Sequence, residues 1–273
     1  MRRMTGPAER LASARVFLFV PGDRPERFAK ATLSGADVII IDLEDAVPAA
    51  HKPQARHEAV SWLDSGGAAV VRVNAPGTEW FEEDVATIAP VADGLMIPKA
   101  ECAEDWKRAG DVPVIPLIET AGGIERALKI LSARTVVRPA FGSIDLAAQL
   151  GIDPNDRQAL LFARSRLCLA AAAARRSAPI DGVTTAVRDA AVLRGDVEHA
   201  ASLGMTAKLC IHPAQVPLTR ELFKPSPAQV EWARSVAAAV GDGVGLVDGH
   251  MVDAPVLARA RGLLTQALEP TNP

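Results

Sequence analysis

The sequence has no excess of either charge: 30 Lys and Arg stand against 33 Asp and Glu, a formal net charge of −3. Nucleic-acid proteins carry a basic excess or stripe, so this balance argues against that class of partner. No apolar run approaches the ~20 residues that span a bilayer, so no membrane is expected. The opening MRRMTGPAERLASAR has basic residues but no apolar h-region, so it does not read as a signal peptide. We expect a loose N-terminal arm over residues 1–14. Cysteine is scarce, and Cys102, Cys168 and Cys210 are odd in number and widely spaced. That argues against a disulfide framework or a zinc site and for reduced thiols in the cytoplasm. A GxGxxG after the first strand is also missing, which disfavours a doubly wound, dinucleotide-binding sheet.

What is present is an ordinary globular composition, 49 % apolar and 23 % charged, over 273 residues. Short apolar runs recur with helical patterns between them: VFLFV, DVIIIDL, AAVVRVN, GLMIP, VPVIPLIE, VVRPAFG, APIDGVT and AKLCI. They are continuous rather than alternating, as parallel strands covered on both faces are. The intervening pieces carry helix stops at Gly35, Gly66 and Gly204. Asp153 with Pro154 reads as the cap and first residue of a long, alanine-rich helix. Eight β/α repeats predict an α/β fold, a (β/α)₈ barrel over 15–225. Residues 226–273 form a C-terminal helical extension: a helix over 227–240, the turn GDGVG, then a short strand or turn and a helix. It covers its own barrel mouth or reaches a neighbouring subunit.

In such a barrel the chemistry sits at the C-terminal ends of the strands. The polar residues there are Asp42, Glu44 and Asp45 after strand 2, and Arg72 and Asn74 on strand 3. Lys99 follows strand 4, Glu119 strand 5, and Ser143 and Asp145 strand 6. Strand 7 carries Asp181 and Thr184, and strand 8 ends in His212. Singly, an acid such as Asp45 or Asp181 reads as a helix cap or loop residue, and His212 as the residue before a proline turn. Arg72 alone could merely bridge Glu44 or Asp45. Glu119 and Asp145 differ, because both follow apolar runs on adjacent strands. Buried carboxylates must be paired or hold a metal, and one arginine cannot neutralise this many acids. Oxygen ligands from two strands point to Mg²⁺, which takes few carboxylates and keeps positions open for water or substrate.

FVPGDRPERFAKA, IIIDLEDAV, VRVN, IPKAE, PLIETAGGI, FGSIDLAAQLG, KLCIHPAQ and DGHMVDAPVLARA fall in order along the chain. Together they resemble the citrate lyase β-subunit and malyl-CoA lyase group of the HpcH/HpaI aldolase superfamily, from about Arg15 to Leu264. The resemblance implies a Mg²⁺-dependent carbon–carbon lyase. It would cleave or form a 3-hydroxyacyl-CoA such as citryl-CoA or malyl-CoA, with an acyl-CoA and a keto acid as the other side of the reaction. It carries the metal to Glu119 and Asp145, and a substrate contact to Arg72. Phe19, Arg24 and Lys30 become substrate or CoA contacts, and Ile211 and His212 lie along the CoA path. Asp253 matches a proposed acid/base aspartate in a segment that an adjacent subunit can supply. Met96 and Pro98, with the loop tips, would size the acyl pocket. The family implies a homo-oligomer, a trimer or a dimer of trimers. The alternatives are an aldolase on free hydroxy-keto acids, and a malate-synthase-like condensation with thioester hydrolysis.

Overall fold

The computed structural model describes residues 6–239, 245–247 and 249–268. Residues 1–5 of the arm, 241–244 of the GDGVG turn and the last five residues lie outside that set. Eight strands carry the architecture: β1 (Val16–Pro21), β2 (Val38–Asp42), β3 (Val70–Arg72), β4 (Gly94–Ile97), β5 (Val114–Ile118), β6 (Ala140–Phe141), β7 (Ile180–Asp181) and β8 (Ala207–Cys210). They form a closed barrel in sequence order, every pair parallel, with β1 returning to pair with β8. The chain divides into two compact units at Arg220 and Glu221, and the barrel is the first.

The continuous apolar runs are explained by two separate cores. Val16, Leu18, Ile39, Ile41, Val71, Leu95, Ile97, Val114 and Ile118 pack outward, in one cluster with helix residues such as Ala55, Ala59 and Leu63. Phe17, Ile40, Val70, Met96, Ile115, Leu117, Ala140, Ile180, Ala207 and Leu209 fill the lumen. Because side chains alternate along a strand, the lumen face of β2 runs from Ile40 to Asp42. That of β3 runs from Val70 to Arg72, and that of β5 from Leu117 towards Glu119. The same rule sends Asp181 outward, since its neighbour Ile180 faces the lumen.

Asp181 is accordingly not a mouth residue, a cap or a surface residue. It is 1 % exposed and lies outside the lumen, where Lys208 Nζ donates to it at 3.0 Å and Arg164 Nε at 2.9 Å. Burial alone would raise its pKa, but Lys208 and Arg164 outweigh it and hold the carboxyl below its ordinary range.

The N-terminal arm is not loose where it is described. Residues Pro7–Ser13 form a helix whose Leu11 is 2 % exposed and joins the lumen cluster. Gly94 makes the room: a Cβ there would sit 2.9 Å from Leu11 Cδ1. Arg138, fully buried, donates to Ala14 O at 2.7 Å, Ala178 O at 2.6 Å and Thr206 Oγ1 at 2.8 Å. Burial without a carboxylate partner pulls its pKa down to about 9, so it stays charged at neutral pH.

The expected helix start at Asp153 is also revised. Asp153 Oδ1 accepts from the Asn155 N–H at 2.9 Å, a local turn that competes with helix, and the helix begins later, at Leu161–Ala173. In the second unit the helix Pro227–Ala239 is followed by the antiparallel pair β9 (Gly245–Val247) and β10 (His250–Val252), then the helix Ala254–Leu268. Ala233, Val236, Val252, Leu257 and Ala260 form its own small core.

Candidate active site

Arg72 is the centre of the site, 9 % exposed at the end of β3. The parallel register sets it beside Asp42 on one side and Met96 on the other. Its fork meets Asp42 with both teeth, Nε to Oδ1 at 2.7 Å and Nη2 to Oδ2 at 2.6 Å. Nη1 faces Glu44 and Asp45, each at 3.2 Å. The guanidinium carbon stands 4.8 Å from the centroid of the Phe19 ring, within cation–π range. Burial works against the charge, but Asp42, Glu44 and Asp45 outweigh it and raise the pKa. Arg72 does bridge Glu44 and Asp45, as a simple structural role requires. It also reaches Asp42, which two backbone amides hold: Asp42 accepts from Glu44 N at 2.9 Å and Ala46 N at 3.0 Å.

Glu119, one residue past β5, is 2 % exposed. Its Oε1 accepts from the Lys99 N–H at 2.8 Å. Lys99 makes that bond from a left-handed conformation, φ 48°, rare for a residue with a side chain. Gly142 supplies the space opposite, since a Cβ there would stand 2.4 Å from Glu119 Oε2. Burial first, then the charges of Asp145 and Glu44, push the Glu119 carboxyl up to about 8. Asp145 lies in the first turn of the helix Ser143–Leu150, 39 % exposed at its side chain. A carboxylate at that end of a helix is favoured by the helix dipole.

The ammonium of Lys99 stands among the acids: 2.7 Å from Glu44, 3.6 Å from Asp145 and 3.9 Å from Glu119. Glu44 Oε2 is buried without a hydrogen bond, and burial raises the Glu44 pKa despite Arg72 and Lys99. These observations test the fit of a divalent cation. The acids already draw a cation together, the Glu119 carboxylate is costly without one, and a glycine leaves room beside one of its oxygens. Among the described residues no three His, Cys, Asp or Glu converge as a ready-made cluster. The two carboxylates Glu119 and Asp145 fit Mg²⁺, which is held by one or two carboxylates and keeps water ligands.

The remaining expected residues are spread out. Met96 is fully buried in the lumen beneath the site, and Pro98, one residue past the end of β4, is buried two residues further along. Arg24 and Lys30 are exposed, on the loop after β1 and on the helix Phe28–Thr32. Ile211 is 39 % exposed after β8. His212 is exposed, and its Nδ1 accepts from the Ala214 N–H at 3.1 Å, so the proline-turn reading describes its side chain. Asp253 belongs to the second unit. There its Oδ1 accepts from the Val256 N–H at 3.3 Å and caps the last helix.

Sequence reasoning missed Lys52, Arg56 and Asp84, all at least nine-tenths buried. A signal existed for the first two. They lie on the same stripe of the helix Lys52–Asp64 as Ala55, Ala59 and Leu63, and a cation on an apolar stripe marks a buried partner.

The HpcH/HpaI aldolase/citrate lyase family model matches residues 15–213. The chain belongs to that family. It is 39 % identical over 265 residues to the citrate lyase subunit beta-like protein of Mycobacterium tuberculosis H37Rv, covering 94 % of this chain and 96 % of that one. It is 35 % identical over 268 residues to a (3S)-malyl-CoA thioesterase of Cereibacter sphaeroides KD131, covering 93 % and 94 %. Among solved structures it is similar to CitE of M. tuberculosis in complex with magnesium, acetoacetate and coenzyme A. That match has a TM-score of 0.85 at 38 % identity, over 94 % of this chain and 100 % of the other. Family membership and the closed barrel agree with the resemblance and fold expected from the sequence. No helix among the described residues is long and apolar enough to cross a membrane.

Proposed function

We propose that this chain is a Mg²⁺-dependent carbon–carbon lyase that cleaves a 3-hydroxyacyl-CoA into an acyl-CoA and a keto acid, or condenses them in reverse. The observation that carries it is an Asp42-anchored Arg72 linked through Glu44 and Lys99 to the Glu119 and Asp145 carboxylates, in a family whose relative was solved with magnesium, acetoacetate and coenzyme A. Glu119 and Asp145 would hold the metal. When bound, Mg²⁺ supplies positive charge to the hydroxyl and carboxylate oxygens of the substrate.

The chain's own residues do the rest. Asp42 fixes the plane of the Arg72 guanidinium, and Phe19 supports one face. Nη2 spends one hydrogen on Asp42 and keeps the other for the substrate oxygen that becomes the keto carbonyl. As the hydroxyl gives its proton to a solvent water, the C–C bond breaks and its electron pair passes to the thioester α-carbon. That carbanion takes a proton, and Asp253 is our candidate for the acid. Arg24 and Lys30 meet the CoA phosphates as cations; Ile211 and His212 flank the pantetheine, while Met96 and Pro98 bound the acyl end. The finer reading is a cytoplasmic homo-oligomer, a trimer or hexamer. Its thiols, all free among the described residues, suit a reducing compartment.

A turnover screen tests this, with Mg²⁺ and citryl-, malyl-, citramalyl- and 3-hydroxy-3-methylglutaryl-CoA, followed by mass spectrometry. Cleavage is expected to stop with EDTA and in Glu119→Gln, whose circular dichroism stays native. No cleavage of any substrate, or full turnover in Glu119→Gln, overturns the reading. The thioesterase name of the C. sphaeroides relative favours a second activity, hydrolysis of the thioester. Free CoA release in the same screen distinguishes it.

A further inference from the structure

Glu44 carries one side chain to both cations of the site, Lys99 at 2.7 Å and Arg72 at 3.2 Å. It sits on a loop past the end of β2, where nothing in a ladder holds the backbone. Three contacts hold it instead, one of them a turn bond from the Val47 N–H to its carbonyl at 3.2 Å. Its N–H is bound by Asp42 Oδ1 at 2.9 Å. Its carbonyl accepts from Lys52 Nζ at 2.8 Å, and the same ammonium donates to Leu43 O at 2.8 Å. The third acceptor of Lys52 is Asn74 Oδ1 at 2.5 Å, which completes the three donors of an ammonium.

Asn74 is itself oriented. Its N–H and its Nδ2 both donate to Asp84 Oδ2, at 2.9 and 2.6 Å. Asp84, fully buried, accepts on its other oxygen from Arg56 Nε at 2.6 Å. Asn74 cannot flip, because its oxygen faces an ammonium and its nitrogen a carboxylate. The Trp80 ring lies 5.1 Å from Lys52 Nζ and covers it. Lys52 therefore contacts none of Arg72, Lys99, Glu119 or Asp145, yet a run of four buried polar residues ends on the peptide that aims Glu44.

We propose that Lys52 is a positioning residue for the reaction: held by Asn74, Asp84 and Arg56, it fixes the Leu43–Glu44 peptide so that the Glu44 carboxylate aligns Arg72 and Lys99. The ammonium is neutralised only at a distance. Burial lowers its pKa, and Asp42, Glu44 and Asp84 oppose that. Its three acceptors are all uncharged oxygens, as suits a group that orders a backbone rather than one that forms an ion pair. Replacing it leaves the Leu43 carbonyl without a donor and the Glu44 carbonyl with only the Val47 N–H at 3.2 Å, so the loop loses its tie to the helix Lys52–Asp64.

The kinetic part of the test rests on the lyase reading; the exchange part does not. In Lys52→Met, kcat is expected to fall about 10- to 100-fold, as for other residues that orient site ligands. KM for the thioester and Mg²⁺ affinity by calorimetry stay within about twofold of wild type. Amide hydrogen exchange at Glu44, Ala46 and Val47 speeds up by about tenfold. Asn74→Ser is expected to show the same pattern more weakly, and serves if Lys52→Met does not fold. The double variant costs no more than Lys52→Met alone, because both act in one relay. Unchanged exchange at those three amides overturns the proposal whatever the kinetics. So does activity lost only in proportion to the unfolded fraction, or a joint shift of kcat, KM and Mg²⁺ affinity. Wild-type protein without turnover strikes the lyase reading instead, and leaves the exchange result to decide this one.

Discussion

At the scale of the residue, the site is governed by how one arginine is held. Asp42 takes two of its five N–H groups in a planar fork, and that geometry is specific to a guanidinium. Arg72→Lys keeps the charge and loses the fork. We expect it to bind Mg²⁺ with unchanged affinity, since Arg72 contacts neither Glu119 nor Asp145, while kcat falls by about 10²-fold or more. Calorimetry and steady-state rates on one preparation check both. The acids of this site were legible in the sequence because they interrupt apolar runs, which chain physics does not otherwise tolerate. Lys99 was legible as a strand-end residue but not as the cation among the acids, because its reach depends on a left-handed backbone at that position. The Asp84–Asn74–Lys52 relay was not legible. It joins three elements, and its members are separated by 10 and 22 residues.

At the scale of the element, the strands were read in order because each lies in a short, continuous apolar run. The helix before β7 was misplaced because Asp153 offers the same oxygen to a turn as to a helix start. The role of Asp181 was misread for another reason: β7 has only two residues, too few to show which one faces the lumen. Its pairing with Lys208 and Arg164 makes a pH prediction. The native carboxyl titrates below its unfolded value, so its stabilisation is fully present above about pH 4. It is lost as pH falls through the lower native pKa. Denaturant unfolding should show wild-type stability dropping across that acid range, and Asp181→Asn dropping less steeply. At pH 7 the variant should be less stable by about 3–5 kcal/mol, since Lys208 is left buried without its counter-charge. Equal acid slopes for the two proteins would remove Asp181 from the acid transition.

At the scale of the whole molecule, the proposed metal ligands Glu119 and Asp145 lie in the barrel with Arg72, and the proposed acid Asp253 belongs to the second unit. The two roles separate experimentally. Asp253→Asn preserves the helix cap, because asparagine caps as well as aspartate. Thermal stability and Mg²⁺ affinity should hold while turnover falls by about 10²-fold or more. Turnover equal to wild type would leave Asp253 a cap and nothing else. The closed barrel and its C-terminal helical extension followed from counting eight repeats and finding helical pattern left over. The lumen plug did not, because a single Leu11 in a seven-residue helix carries no periodic signal.

The closure of β1 on β8 has a consequence during synthesis. Phe17 pairs with Leu209, so the first strand of the barrel waits for its last one. At about 5–20 residues per second that interval is roughly 10–40 s. Throughout it VFLFVP offers an unpaired, apolar edge. Leu11 can plug the lumen only once a lumen exists, and Arg138 can hold Ala14 only after more than a hundred further residues are made. The nascent chain is thus a natural client for a holding chaperone, and its N-terminal edge is the segment such a chaperone must cover.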